Sequence, residues 1–249
     1  MSQTLIMKIG KRLQHIDAMV ATGYTHIWDC CCDHGLLGAS LLSRQAAPFI
    51  HFVDIVPELM GELETRLRRF YPAMAPHPSP SPARSLWQVH CIDVASLPLS
   101  RHEGRQLVII AGVGGDLMVQ LVRAIHEANP NADIDFLLCP VHHQFALRRQ
   151  LIKLDFQLLE ERLVEENRRC YELLLVSSKA RDMPSRCRVP CRVSTVGEQI
   201  WQAHSPEQAD IASRYLSKTL AHYQRMQRGL DDVTPIIEAY QAVIIQAHR

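Results

Sequence analysis

The chain lacks a run of about 18 apolar residues, so no membrane-spanning helix is expected. Its first residues, Met1 to Lys11, lack the apolar stretch of a signal peptide, which makes the cytoplasm the expected compartment. It has almost no charge imbalance. A net charge of +1 over 249 residues excludes a uniformly basic nucleic-acid-binding chain and leaves room only for a local basic patch. Residues 177–249 carry 10 of the 27 Lys and Arg against 7 of the 26 acidic residues, a small positive bias. There is no CxxC pair among the eight cysteines and no internal repeat. Cys187 and Cys191, three residues apart, are a weak zinc pair, and no metal ligand set is expected; reduced, buried thiols are the plainer reading. A GxGxxG dinucleotide fingerprint is also absent.

What is present is a large apolar fraction, 47%, enough to bury a sizeable core. It is distributed in alternating periods. Leu5, Ile9, Leu13, Ile16, Met19 and Val20 are spaced as a helix over 4–21. Strand-like runs follow at 26–31, 49–55, 87–92, 107–111 and 134–139, separated by helical patterns at 34–44, 57–71, 116–128 and 145–154. The run 107–111 (LVIIA) is continuously apolar, as a parallel strand covered on both faces requires. This alternation predicts a doubly wound α/β sheet. Two further runs, 156–165 and 170–177, are joined by four polar residues, too few for a parallel crossover, so they predict an antiparallel hairpin. A parallel sheet ending in a hairpin is the Rossmann-like methyltransferase arrangement. Prolines at 72, 76, 78, 80 and 82 predict an extended loop, and 180–196 reads as irregular. Helical patterns at 206–228 and 234–248 close the chain. The expected organisation is a Rossmann-like domain over 1–178, a linker over 179–205 and a C-terminal helical region over 206–249.

In an open parallel sheet, ligands sit past the carboxyl ends of the strands. Four such ends carry polar or glycine-rich residues. The first is the turn 29–35, with Asp29 placed to order the turn and meet a ligand ammonium. Asp33 there is either a site carboxylate or the N-cap of the next helix. Asp54 ends the second strand, where a carboxylate accepts ribose hydroxyls of a nucleoside cofactor. Asp93 ends the third, suited to an adenine amino group. Gly112, Gly114 and Gly115 follow the fourth, where missing side chains leave room for close approach of a ligand. His142 and His143 read as structural or as approaching the site.

With Lys11-Arg12-Leu13, Asp29 with Asp33-His34, Gly112-Val113-Gly114-Gly115 and Arg169-Cys170-Tyr171-Glu172 in order over residues 8–178, the chain resembles the bacterial tRNA (adenine-22-N1)-methyltransferase family. The resemblance implies S-adenosylmethionine as donor, tRNA as partner and N1 of an adenine as acceptor. It implies cofactor contacts from Asp29, Cys31, Asp54, Ile55, Asp93, Val94, Gly112, Val113 and Gly114. Asp33 and His34 would act at the reacting base, with Gly115 and Pro140 beside it. Arg214, Lys218, Arg225 and Arg228 on the tail would meet RNA phosphates or simply form a solvated face. The chain departs from the family pattern in four places. Cys31-Cys32 stand where glycine and serine are usual, Val113 where methionine is, and Val141 where asparagine is. Residues 72–84 look like an insertion. The alternatives are a methyltransferase acting on another RNA, a protein or a small molecule, and a non-catalytic RNA-binding protein of the same fold.

Overall fold

The computed structural model describes residues 9–72, 85–179, 192–229 and 232–247. Leu5, the prolines at 76, 78, 80 and 82, and the Cys187/Cys191 pair lie outside them. The element order is α1 (Lys11–Met19), β1 (His26–Cys30), α2 (Leu36–Ser43), β2 (Phe49–Asp54), α3 (Pro57–Phe70), β3 (Leu86–Cys91), β4 (Gln106–Ala111), α4 (Gly115–Ala128), β5 (Ile134–Cys139), α5 (Gln144–Lys153), β6 (Gln157–Glu166), β7 (Arg169–Ser177), β8 (Gln202–Ala203), α6 (Pro206–Gln227), α7 (Thr234–Gln241) and β9 (Gln246–Ala247).

The seven-stranded sheet has the order β3-β2-β1-β4-β5-β7-β6. β1 to β5 pair in parallel, and β7 inserts antiparallel between β5 and β6. This is the Rossmann-like methyltransferase sheet expected from the terminal hairpin. The hairpin turns on Asn167 and Arg168, at φ 50° and 62°. Left-handed geometry at both central residues matches the strand twist, as in a type I′ turn. Leu107–Ile110 of β4 are fully buried, so that run is apolar without alternation; β1 is buried at every residue too, but carries the polar His26 and Asp29.

Side chains leave the sheet into two layers. Ile27, Phe52 and Ile109 pack under α1, α2 and α3. Trp28, Val108 and Phe136 pack under α4 and α5. The order reverses between β1 and β4, so α2 and α4 leave on opposite faces and a crevice opens past the ends of those strands. The 92–105 connection crosses the second face with only two short 3-10 turns, Val94–Ser96 and Leu99–Arg101.

A third apolar cluster lies beyond α5, where Trp201, Tyr215, Tyr223, Ile237 and Tyr240 gather around Phe145. Part of the stretch expected as a linker is thus ordered. Ile200 and Trp201 are buried, and β8 pairs in parallel with β9. The last helix is shorter than the expected 234–248. It ends at Gln241, because the run Val243-Ile244-Ile245 is β-branched and leads into β9.

Beneath this cluster sits Arg148 of α5, fully buried. It donates to Glu161 Oε2 at 2.6 Å and to Glu172 Oε2 at 2.7 Å, both carboxylates equally buried. Burial alone disfavours the guanidinium charge. Glu172 and Glu161 outweigh it and hold Arg148 above its ordinary value. The second Glu172 oxygen accepts the Tyr215 hydroxyl of α6 at 2.5 Å, and Glu161 Oε1 accepts the backbone amides of Glu198 and Gln199. One cation thus joins α5, the hairpin, residues 198–199 and α6. Glu172→Ala should cost about 3–5 kcal/mol, the usual result of stranding one partner of a buried pair. Urea unfolding would measure it. A loss below about 1 kcal/mol would show that solvent reaches Arg148.

Candidate active site

The crevice is built from four turns. Asp29, near the end of β1, is 4% exposed, and its Oδ2 accepts the Gly38 amide of α2 at 2.8 Å. Gly38 has no Cβ because one would collide with the Phe52 ring and crowd Asp29. Burial raises the Asp29 carboxyl to about 7; the Gly38 amide opposes this and the Asp54 charge adds to it.

The chain then turns through Cys31, Asp33 and Gly35, all left-handed, at φ 55°, 50° and 65°. Gly35 is the N-cap residue of α2. Asp33 therefore does not cap that helix, and α2 begins at Leu36, two residues later than the sequence pattern suggests. The Asp33 side chain is 68% exposed, 3.7 Å from His34 Nε2. Arg66 of α3 donates to the His34 carbonyl at 2.5 Å and steadies the turn.

Asp54 ties this turn to the next one. Its Oδ2 accepts the Asp33 amide at 3.1 Å, and its Oδ1 accepts the amides of Ile55 and Val56 at 2.8 and 3.2 Å. A carboxylate offers about four acceptor positions, so one remains for a ligand hydroxyl. Ile55, beside it, is 65% exposed, a bare apolar surface at the crevice mouth. Asp93 lies two residues past the end of β3, and its Oδ1 accepts the Ala95 amide at 2.8 Å, capping the first 3-10 turn. Val94 is buried behind it.

The thiols of the triplet stay protonated at neutral pH. Burial, with the nearby Asp54, Asp29 and Asp93 charges, pushes Cys31 up to about 11, and burial raises Cys30 and Cys32 as well.

The three glycines after β4 have different reasons. A Cβ on Gly112, at φ 87°, would meet nothing within 4 Å, so this glycine faces open space. Gly115 is required by the β5–α5 loop, and Gly114 lies against a side chain of it. A Cβ on Gly114 would strike the His142 ring, and one on Gly115 would lie 2.6 Å from the His143 carbonyl oxygen. The Gly115 amide donates to the His142 carbonyl at 2.9 Å, and Val141 N donates to Val113 O at 3.0 Å. His143, itself left-handed, has Nδ1 2.6 Å from Asp116 Oδ2. Pro140 is buried beneath this loop.

The tail cations divide into two pairs. Arg214 donates to Glu165 at 2.9 Å and Lys218 to the Arg168 carbonyl at 3.2 Å, so both hold α6 to the hairpin. Arg225 and Arg228 are exposed. Sequence reasoning did not foresee that two of the quoted motifs meet. Arg12 stacks its guanidinium over the Tyr171 ring at 4.9 Å, and its backbone amide donates to Glu166 at 3.1 Å. An Arg in the first helix and a Tyr in the hairpin were the available signal.

A family model described as a methyltransferase domain matches residues 9–174. No curated protein matches the chain. Among solved structures, the chain is similar to Streptococcus pneumoniae Sp1610, a proposed tRNA (m1A22) methyltransferase, at 17% identity and TM-score 0.69, covering 94% of this chain and 98% of that one. It is similar to the Bacillus subtilis m1A22 tRNA methyltransferase TrmK at 18% identity and TM-score 0.64, covering 94% and 97%. M. capricolum TrmK, solved with S-adenosylhomocysteine, shares 12% identity and TM-score 0.65 over 94% of both chains.

The glycine assignments can be separated by substitution. Gly115→Ala meets the backbone carbonyls of His142 and His143 and should lower stability by about 1–3 kcal/mol, as overpacking does. Gly114→Ala meets only the His142 ring, which is exposed and can rotate, so the loss should stay below about 1 kcal/mol. Thermal melts of the two variants give the comparison; equal losses would mean that His142 is held as firmly as the backbone.

Proposed function

The chain belongs to the methyltransferase-domain family, and we propose that it transfers a methyl group from S-adenosylmethionine to N1 of an adenine in tRNA. The observation that carries the reading is the Asp33–Asp54 link. It fixes a left-handed turn beside a carboxylate with one acceptor position left and places an exposed Asp33 at the same crevice. The full-length likeness to tRNA m1A22 methyltransferases supports the choice of acceptor.

The residues present fit the donor. Asp29 would meet its ammonium, Asp54 a ribose hydroxyl, Ile55 and Val113 the faces of the adenine, and Asp93 the adenine edge. Gly112 leaves the backbone open to it. The donor supplies an electrophilic sulfonium methyl. Cys31 is compatible with this neighbour because its raised pKa keeps it a thiol, and a thiol is a poor competitor for the methyl group.

Adenine N1 carries its own lone pair, so the protein's contribution is chiefly alignment, worth up to about 7–11 kcal/mol. The methylated base is cationic, and the Asp33 carboxylate stabilises that charge as it develops. His34, whose carbonyl accepts from Arg66, would orient the turn that carries Asp33. Gly115 and Pro140 shape the base side of the crevice through the β5–α5 loop, with no side-chain contact required. Arg225 and Arg228 take the phosphate role on the tail. Arg214 and Lys218 contribute to it only by giving up hairpin contacts.

The test incubates the protein with methyl-labelled S-adenosylmethionine and unmodified tRNA, followed by nucleoside analysis. Labelled 1-methyladenosine is the expected product. Label on another nucleoside, or none despite donor binding, moves the acceptor elsewhere. Asp33→Ala should lower kcat by about 100-fold or more with donor affinity retained; a near-normal rate removes Asp33 from the chemistry.

Asp29 gives a pH dependence. Its carboxyl is raised to about 7 in the free protein, and a bound ammonium favours the ionised form. Donor binding then releases a proton below about pH 7, and affinity falls as pH drops through that range. Calorimetry of donor binding between about pH 5.5 and 7.5 should show this slope, and Asp29→Asn should flatten it. A slope that persists in the variant would assign the proton to another group.

A further inference from the structure

We propose that His26, His51 and His102 form a binding site for a divalent transition-metal ion of the zinc class, with His90 as the hydrogen-bond partner that orients His51. The four come from β1, β2, β3 and the 92–105 connection, on the sheet face covered by α4 and α5. One donor nitrogen from each of His26, His51 and His102 lies within 4.8 Å of the other two. His26 Nδ1 and His51 Nε2 are 3.0 Å apart. Two nitrogens on a tetrahedral zinc at its usual bond length stand about 3.3 Å apart, so this pair needs to open only slightly.

The surroundings have the form of a ligand shell. His51 Nδ1 lies 3.0 Å from His90 Nε2. If His51 donates there, its Nε2 carries a lone pair toward His26 and His102, the usual way a ligating histidine is fixed in one tautomer. Trp28 stacks flat on the His51 ring at 3.8 Å and 10°, which fixes the ring plane. Trp28 Nε1 donates to the buried Gln106 amide, whose nitrogen donates to the carbonyls of Leu99 and His102. The segment bearing His102 is thereby pinned over the pair.

His26 and His51 are buried, while His90 and His102 are half-buried, so the open side admits an ion and a water as fourth ligand. Burial, followed by neighbouring histidines, pushes His26 down to about 4 and His51 to about 2, and burial lowers His90 and His102. All four are neutral at physiological pH, the state in which imidazole ligates. An all-imidazole set selects zinc, copper or nickel over magnesium and calcium. His26 opens β1, whereas the crevice lies past its last residue. The site is therefore separate from the methyl-transfer chemistry and links β1, β2 and the thinly covered 92–105 connection.

The experiment strips the full-length protein with a chelator, keeps thiols reduced, and titrates cobalt and then zinc. Expected are one cobalt per chain, visible d–d bands without a thiolate charge-transfer band, displacement by zinc, and cobalt quenching of tryptophan fluorescence that Trp28→Phe removes. His90→Gln should weaken affinity by about 10–100-fold as an outer partner does. His102→Ala, at a half-buried position, should weaken it at least as much, and His102→Gln, which keeps much of the packing, should do the same while leaving the metal-free protein folded. A thiolate band, which would place the ion on cysteines, overturns the proposal. So does unaltered affinity in the histidine variants, or no binding at micromolar metal, which would leave a hydrogen-bonded imidazole chain only.

Discussion

Right-handed crossovers force α2 and α4 onto opposite faces of the sheet, and every feature of the candidate active site follows from the gap this leaves past β1 and β4. Four strand ends deliver their turns to that gap. Two carboxylates then hold the turns in register: Asp29 through the Gly38 amide, and Asp54 through three amides from two different loops. Much of the site is therefore backbone fixed by buried or half-committed acids. The exposed Asp33 side chain stands out against that backbone.

A second constraint operates at the far side. Arg148 is an ion that no single element can neutralise. Its two carboxylates come from adjacent strands of the hairpin, and the Glu172 carboxylate also binds Tyr215 of α6. The helical tail is thus docked by a polar anchor beneath an aromatic cluster. That arrangement constrains geometry more tightly than apolar contact alone, because a misplaced partner leaves a buried charge uncompensated.

The layering of the fold was legible because LVIIA at 107–111 and the short link at 166–169 admit few readings. The strand-end acids Asp29, Asp54 and Asp93 were legible for the same reason: position in a parallel sheet predicts them. The division of labour among glycines was not. Gly114 and Gly115 answer to His142 and His143, some 28 residues away in sequence, and no local pattern records that approach. The last helix ends before the expected 248 because the β-branched residues at 243–245, although apolar at a tolerable helical spacing, lead into β9, where Gln246 and Ala247 pair with β8. The histidine cluster was invisible for a simpler reason. Its members are spread from residue 26 to residue 102 without a ligand spacing; strand register gathers His26, His51 and His90, and the 92–105 connection, held by Gln106, brings His102 to them.

The antiparallel insertion of β7 also places a local pairing beside a distant one. β7 pairs with β6 across a two-residue turn, a local closure of the microsecond class, whereas its pairing with β5 must bridge α5. Arg148 lies on α5, inside that longer loop, and its counter-charges are displayed on the hairpin. Water solvates the guanidinium while it is exposed, but its burial requires both hairpin carboxylates. Burying that charge is favourable only with both hairpin strands in place, so α5, the hairpin and the start of the helical tail are coupled in stability, and loosening one loosens the others.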